Sequence, residues 1–148
     1  MLLRARPPHA PDDGPRPIVH DAAVAIPPRP DLAGSRLRVP GRWAVYLVDP
    51  GGYRRWVPSD FVYQRLFGND LEVAGSGEIE RIALGPPLAS GTMLIRGHET
   101  DSVYLVDMGR RRRVADGTVM RKYGFARDTV LAARQILVDS IPLGVEWE

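Results

Sequence analysis

Val45-Tyr46-Leu47-Val48-Asp49 is repeated letter for letter as Val103-Tyr104-Leu105-Val106-Asp107. A glycine-bearing turn follows each copy, and an arginine-rich segment follows the turn, at residues 53–57 and 110–114. Each copy has a matching lead-in, residues 32–41 and 88–97, and each closes alike, as Ile82-Ala83-Leu84-Gly85 and Ile141-Pro142-Leu143-Gly144. Features that recur in one order indicate an internal duplication. We therefore divide the chain into an arm, residues 1–31, and two units, residues 32–87 and 88–148.

The lead-in, the VYLVD segment and the arginine-rich segment of each unit are short, rich in β-branched and aromatic residues, and separated by Gly or Pro. This pattern predicts a three-stranded antiparallel meander. VYLVD is largely apolar on both faces, which predicts a central strand. One unit alone has a thin core, so two stacked units would bury what each leaves exposed. The predicted fold class is α+β, with two tandem meanders plus short helices packed with pseudo-two-fold symmetry.

A helix is predicted after each arginine-rich segment. Residues 58–60 offer an N-cap for the first helix and Gly68 ends it, while Asp116 caps the second and Gly124 ends it. Further short helices are predicted around residues 78–83, capped by Ser76, and around residues 129–138, capped by Asp128.

The N-terminal arm, residues 1–31, contains eight of the 14 prolines, and its four arginines are balanced by four aspartates. Proline excludes regular helix and central strand, so the arm is predicted to be extended. It has too little apolar surface to become ordered alone. We expect it to lie on a neighbouring subunit, or alternatively on its own globular part.

The 148-residue chain has a formal net charge of +2 and no cysteine. The absence of cysteine excludes disulfides, thiolate catalysis and cysteine-ligated zinc. No apolar stretch is long enough to span a membrane, and the N-terminus lacks the apolar region of a signal peptide. We therefore expect a cytoplasmic protein, or part of a particle assembled in the cytoplasm.

The order of V-Y-L-V-D, a glycine turn, R-R-W-V-P, a short helix and I-P-L-G resembles a poorly characterised tandem repeat of bacterial exported and cell-surface proteins. The resemblance covers residues 36–144. The first unit matches at residues 45–49, Gly51 or Gly52, residues 55–58 and Phe61. The second unit departs, with Arg113 in place of the Trp, Ala115 of the Pro and Thr118 of the Phe. The resemblance implies no catalytic residues, and therefore interaction rather than a reaction.

The sequence offers few residues for catalysis. His98-Glu99-Thr100-Asp101 lacks the spacing that places metal ligands on one helix face, so we interpret it as a polar hairpin loop. Asp49 and Asp107 occupy equivalent positions and could form an acid pair, but an Asp before a glycine turn more commonly binds turn amides or an Arg on the next strand. We predict no catalytic residue, no metal site and no cofactor.

Aromatic and arginine side chains are the candidates for partner binding. An exposed Trp beside Arg suits a sugar ring or a protein hot spot. We expect Trp43 to be exposed and Trp56, which shares a strand face with Arg54, to pack in the core. Residues 110–113 alternate on a strand, so two arginines face each way, and solvation or internal pairing is favoured over a charged partner face or nucleic acid. The candidate partner-binding residues are Trp43, Tyr53, Arg54, Trp56, Arg111 and Arg113.

These observations predict a non-enzymatic structural or adaptor protein that acts by protein–protein interaction. We expect it to be a subunit of a larger bacterial or phage-like assembly, held by its N-terminal arm. A carbohydrate or cell-wall binding module is the first alternative, and a nucleic-acid-binding accessory protein is the second.

Overall fold

The computed structural model describes residues 25–148. The first unit contains four strands: β1 (Arg36–Arg38), β2 (Val45–Val48), β3 (Arg54–Trp56) and β4 (Ala74–Gly75). Helix α1 (Asp60–Phe67) lies between β3 and β4, and short 3₁₀ helices occupy Pro30–Leu32 and Gly77–Arg81.

The second unit repeats this order. Its strands are β5 (Met93–Gly97), β6 (Val103–Asp107), β7 (Arg110–Val114) and β8 (Leu131–Ala133). Helix α2 (Gly117–Tyr123) and a 3₁₀ helix (Arg127–Thr129) lie between β7 and β8, and helix α3 (Gln135–Ser140) follows β8.

The two sheets have the same topology, with strand orders β3-β2-β1-β4 and β7-β6-β5-β8. The first three strands of each unit pair antiparallel, and the fourth strand pairs parallel with the first. The α+β class, the two tandem units and the meander within each unit are therefore confirmed. The VYLVD strand lies inside each sheet, as its two apolar faces predicted.

The strand register corrects the match between the two lead-ins. Leu37 stands opposite Tyr46, and Ile95 stands opposite Tyr104, the equivalent residue of the second unit. Leu37 and Ile95 are therefore equivalent, whereas the sequence match had paired Leu37 with Met93. The true match is displaced by two residues because strand pairing, not letter similarity, sets the register.

The caps of the two main helices are confirmed. The Ser59 side chain accepts a hydrogen bond from the amide of Val62 at 3.2 Å, and Gly68 ends α1. Asp116 accepts from the amides of Thr118 and Val119, and Gly124 ends α2 in the left-handed conformation.

The C-terminal helix prediction was wrong in its bounds. Residues 129–138 do not form one helix, because Leu131–Ala133 adds a parallel strand to β5 and the helix starts only at Gln135. Asp128 lies inside a 3₁₀ helix and caps nothing. In the first unit the predicted helix around residues 78–83 is the 3₁₀ helix Gly77–Arg81, and Ser76 caps it as expected.

The closing motif of each unit covers a sheet edge. Leu84 forms a parallel bridge with Arg54 of β3, and Leu143 forms the same bridge with Arg111 of β7. An unprotected edge strand would invite pairing with other chains. Each unit therefore shields one edge with its own last residues.

One hydrophobic core joins the units. Helix α1 packs against β5 of the second unit, and the amide of Ala126 donates to the carbonyl of Leu66 at 2.8 Å. The guanidinium of Arg36 lies against Gly124 at the end of α2, so each unit's helix meets the other unit. Helix α1 makes the larger of these two contacts, and the pseudo-two-fold packing of the units stays a prediction. The buried cluster contains Leu47, Val57, Val62, Tyr63, Leu66, Phe67, Leu88, Leu94, Leu105, Val114, Met120, Tyr123, Phe125 and Trp147.

The end of the arm lies on the first unit. The amide of Arg29 donates to the carbonyl of Gly52 at 2.8 Å, and the amide of Ala83 donates to the carbonyl of Pro27 at 3.1 Å. Residues 25–31 therefore contact their own chain, which was the second of the two alternatives predicted for the arm. The predictions for residues 1–24 lie outside the described residues. Within the described part of the chain, no helix is long and apolar enough to cross a membrane.

Candidate functional site

The two repeated aspartates surround one buried arginine. Arg55 donates to Asp107 at 2.8 Å and lies 3.4 Å from the carboxylate of Asp49, so the end of each VYLVD strand meets the same guanidinium. Asp107 also accepts from the amide of Ala89 at 2.8 Å and from the hydroxyl of Thr92 at 2.7 Å. Asp49 binds an amide of its own turn and an arginine of the next strand, as predicted. The prediction was wrong for Asp107, because its amide partner lies 18 residues upstream and its arginine partner belongs to the other unit. This cluster links the two units.

A concave groove of about 280 Å³ lies at the end of the first sheet, where β2 begins and β3 ends. Trp43 is 92% exposed and Trp56 is 42% exposed, and both line this groove. Pro58 and Tyr63 complete the aromatic and apolar wall. We call this site the aromatic groove. Its lining is Trp43, Ala44, Val45, Trp56, Val57, Pro58, Ser59, Asp60 and Tyr63.

The exposure of Trp56 contradicts the expectation of core packing. Trp56 stands opposite Tyr46, whereas the adjacent Arg55 stands opposite the buried Leu47. Because side chains alternate along a strand, the arginine takes the core-facing position and the indole is turned to the other face. The prediction that Trp43 is exposed is confirmed.

Tyr63 forms the fixed side of the aromatic groove. Its hydroxyl accepts from Arg36 at 2.9 Å and donates to the carbonyl of Asp70. Burial raises the pKa of the Tyr63 hydroxyl above its ordinary value. The hydrogen bond from Arg36, at 2.6 Å, holds the pKa of Asp70 below its ordinary value. The tyrosine therefore presents a neutral ring in a fixed position.

A second groove of about 530 Å³ lies at the end of the second sheet. Val103, Val114, Met120 and Val130 supply its apolar lining. Its charged residues are Arg96, Arg113 and Arg127 against Asp101 and Asp116. We call this site the arginine groove.

The two grooves occupy equivalent places in the duplicated fold. Trp43 and Asp101 each lie two residues before VYLVD, and Trp56 and Arg113 each stand opposite the tyrosine of that motif. Ser59 and Asp116 are the caps of the equivalent helices. Pro58 and Tyr63 correspond to Ala115 and Met120. The duplication has thus produced one groove twice, with an aromatic wall in the first unit and a charged wall in the second.

The other predicted site residues lie elsewhere. Tyr53 precedes β3, is 40% exposed, and its amide donates to Asp49 at 2.9 Å. Arg54 lies over the ring of Tyr46, and Arg111 lies over the equivalent ring of Tyr104. The structure therefore brings Trp43 and Trp56 together, places Arg113 in the equivalent groove, and leaves Tyr53, Arg54 and Arg111 outside both.

Residues 110–113 alternate as predicted, and three of these four arginines bind within the chain. Arg111 Nε donates to the carbonyl of Ile141 at 2.9 Å, Arg110 donates to the carbonyl of Leu143 at 3.3 Å, and Arg113 pairs with Glu146 at 2.9 Å. These bonds give the arginine run an internal role, which the sequence had favoured over nucleic acid.

Sequence reasoning missed Pro58, Tyr63, Arg96 and Arg127 as groove residues. The duplication itself gives a clue to the grooves. Trp56 and Arg113 are equivalent residues of two otherwise similar segments, and they differ strongly in chemistry. Arg127 has no such signal, because it lies in a 3₁₀ helix absent from the first unit.

The structure agrees with the interpretation of residues 98–101 as a polar hairpin loop. His98 and Glu99 lie in the turn between β5 and β6, and the amide of His98 donates to the carbonyl of Ala133 at 3.1 Å. Across residues 25–148, no group of three or more histidine or acidic side chains is arranged to hold a metal ion.

Comparison with protein-family models, with curated proteins and with solved structures finds no match to this chain. The interpretation of the two grooves therefore rests on their geometry and chemistry.

Proposed function

We propose that the protein is a non-enzymatic interaction protein that binds an extended polypeptide segment in its aromatic groove. The supporting observation is the Trp43 indole, 92% exposed beside the half-exposed Trp56 in one concave site. A solvent-exposed indole gains much from burial, and Trp is enriched among residues that dominate binding energies.

A proline-containing segment suits this groove. Polyproline II segments dock in grooves lined by aromatic rings, and they lose little entropy because their conformation is already fixed. The chain carries a proline-rich segment itself, since five of the eight prolines of the arm lie within residues 1–24. We propose that the occupant is the N-terminal arm of a second copy, which would join the subunits of an assembly.

The attachment point of the arm is compatible with binding to a second copy. Arg29 is bonded to Gly52, which lies in the turn between β2 and β3. Trp43 precedes β2 and therefore lies at the opposite end of the same sheet. The arm thus joins the folded part away from the groove of its own chain.

Light scattering after size exclusion tests this proposal. The full-length chain should self-associate, whereas a chain shortened to residues 25–148 should be monomeric. Trp43→Ala in the full-length chain should weaken association at least about tenfold, the loss typical of a binding hot spot. Met108→Ala removes another exposed apolar side chain, which is 60% exposed, and serves as the control.

A synthetic peptide of residues 1–24 separates the outcomes. It should quench or shift the tryptophan fluorescence of the shortened chain, and a version with its prolines replaced by alanine should not. If Trp43→Ala and Met108→Ala associate alike, the groove is not the contact. A monomeric full-length chain whose shortened form still binds the peptide would mean that each arm fills its own groove.

A carbohydrate or cell-wall ligand is the second candidate, because an exposed indole can also stack on a sugar ring. The same fluorescence experiment with peptidoglycan fragments distinguishes it. Binding of glycans that depends on Trp43 and is not displaced by the arm peptide would favour this function.

A further inference from the structure

The arginine groove has the size and chemistry of a small-molecule site. Its volume, about 530 Å³, falls within the range of ligand pockets, and its walls combine apolar side chains with a few charged groups. This site is separate from the aromatic groove and does not depend on the function proposed for it.

The guanidinium groups of the groove are available to a ligand. Among the residues described, Arg96 and Arg127 form no side-chain hydrogen bond or salt bridge. Arg113 uses one nitrogen, Nη1, to pair with Glu146, and that pair is solvent-exposed. Exposed pairs of this kind contribute little free energy, so a ligand can compete for the group.

The acidic residues do not neutralise the groove equally. One oxygen of Asp116 accepts from the amides of Thr118 and Val119 in the first turn of α2, at 2.8 and 2.9 Å, so part of its charge is already compensated. Asp101 forms no such bond within residues 25–148 and faces the same groove. An anionic ligand would thus be attracted by three arginines and opposed mainly by Asp101.

We infer that the arginine groove binds a small molecule that carries a carboxylate or phosphate on an apolar body. The planar guanidinium donates two parallel hydrogen bonds to such an oxyanion. The apolar body would lie against Val103 and Val130, which are only partly buried and line the same space. The aromatic groove has no arginine in its lining, so this ligand belongs to the second unit alone.

Titration calorimetry of the full-length chain with four small probes tests the inference. Benzoate and phenyl phosphate share a ring and differ in the oxyanion, benzamidine carries a cation on the same ring, and inorganic phosphate lacks the ring. Benzoate or phenyl phosphate should bind, and the tighter of the two identifies the oxyanion. Benzamidine should not bind, and inorganic phosphate should bind at least about tenfold more weakly than phenyl phosphate.

Variants of opposite sign provide the sharper test. Arg127→Gln and Arg96→Gln should each weaken binding of the preferred probe at least about tenfold, since each removes a charge-assisted pair. Asp101→Asn should strengthen it a few-fold by removing a like charge. Arg81→Gln, which changes an exposed arginine of the first unit, is the control and should leave binding unchanged.

Three results would overturn the inference: no binding of either oxyanion probe, equal binding of benzamidine, or equal losses in Arg127→Gln and Arg81→Gln. Equal binding of inorganic phosphate and phenyl phosphate would remove the apolar body from the proposal. These outcomes are independent of whether the arm binds in the aromatic groove.

Discussion

Replacing Asp107 by alanine should strongly destabilise the fold, because its carboxylate binds groups of both units. The carboxylate is 1% exposed and accepts hydrogen bonds from Arg55, Ala89 and Thr92 at 2.7 to 2.8 Å. Its removal leaves the Arg55 guanidinium, 5% exposed, with one carboxylate, the 3.4 Å contact to Asp49, beside the hydrogen bond from Nε to the carbonyl of Pro86. Breaking a buried ion pair by removing one partner costs about 3–5 kcal/mol, and we expect that cost here.

The equivalent residue of the other unit is the matched control. Asp49 ends the identical VYLVD segment, but its side chain is 14% exposed, and it lies 3.4 Å from Arg55. Its second bond comes from the amide of Tyr53 at 2.9 Å. Asp49→Ala should therefore cost about 1 kcal/mol, the usual net value of a hydrogen bond. Two aspartates identical in sequence context should thus differ by at least about 2 kcal/mol.

Urea unfolding followed by circular dichroism measures both costs. A difference of about 2 kcal/mol and a denaturant slope of about 1–3 kcal/mol/M place the midpoint of Asp107→Ala about 0.7–2 M below that of Asp49→Ala. Asp107→Asn gives a second value if the alanine variant does not fold, because its amide oxygen still accepts from Ala89 and Thr92. Equal midpoints for the Asp107 and Asp49 variants would refute the idea that the buried pair anchors the two units.

Two further predictions concern the arm and the pH dependence. Gly52→Ala should detach residues 25–31, because Gly52 has φ +85° and an added Cβ would lie 2.2 Å from the nitrogen of Pro30. Faster amide hydrogen exchange in residues 25–31 would demonstrate this detachment. Asp70→Asn should lower stability at neutral pH, because the variant loses the ion pair with Arg36. The difference in stability from the unsubstituted chain should vanish as pH falls through the lowered pKa of Asp70, where the carboxylate is protonated and the ion pair is lost in both chains. Urea midpoints from pH 7 to pH 2 measure this difference.

Each of these predictions has its own control. Gly41 also has a positive φ, +78°, but an added Cβ would meet nothing within 4 Å. Gly41→Ala therefore separates backbone strain from displacement of the arm, and equal exchange in both variants would contradict the proposed contact. For Asp70, a stability difference that persists at pH 2 would mean that the ion pair is not its source.

The sequence was sufficient for the meanders because their information is local and repeated. The VYLVD strand is apolar on both faces, and the helix caps Ser59 and Asp116 directly precede their helices. The fourth strands were not predictable in the same way. Ala74–Gly75 and Leu131–Ala133 are two and three residues long, too short for a periodic pattern. They are strands because the first strand of each unit offers them a parallel partner.

The site was predictable in its residue types but not in its arrangement. Trp43 and Trp56 were identified as stacking candidates, yet Trp56 was expected in the core because a large indole is commonly buried. The core-facing position belongs instead to Arg55, whose burial depends on Asp107, 52 residues away in sequence. The ion pair joins residues of two different units and therefore leaves no local sequence pattern. The sequence alone could not show which residues of β3 face the core and which face solvent.

The two units use one equivalent arginine differently. Arg55 and its equivalent Arg112 stand opposite Leu47 and Leu105, but only Arg55 pairs with Asp107. The strand register, and with it the position of each groove, is held by the core and by this pair. The groove residues that differ most between the units, such as Trp43 and Arg113, are exposed at the sheet ends, whereas the grooves also share walls with the hydrophobic core. A tandem protein of this design can therefore offer an aromatic site and a charged site in equivalent places, and ligands for one should not compete with ligands for the other.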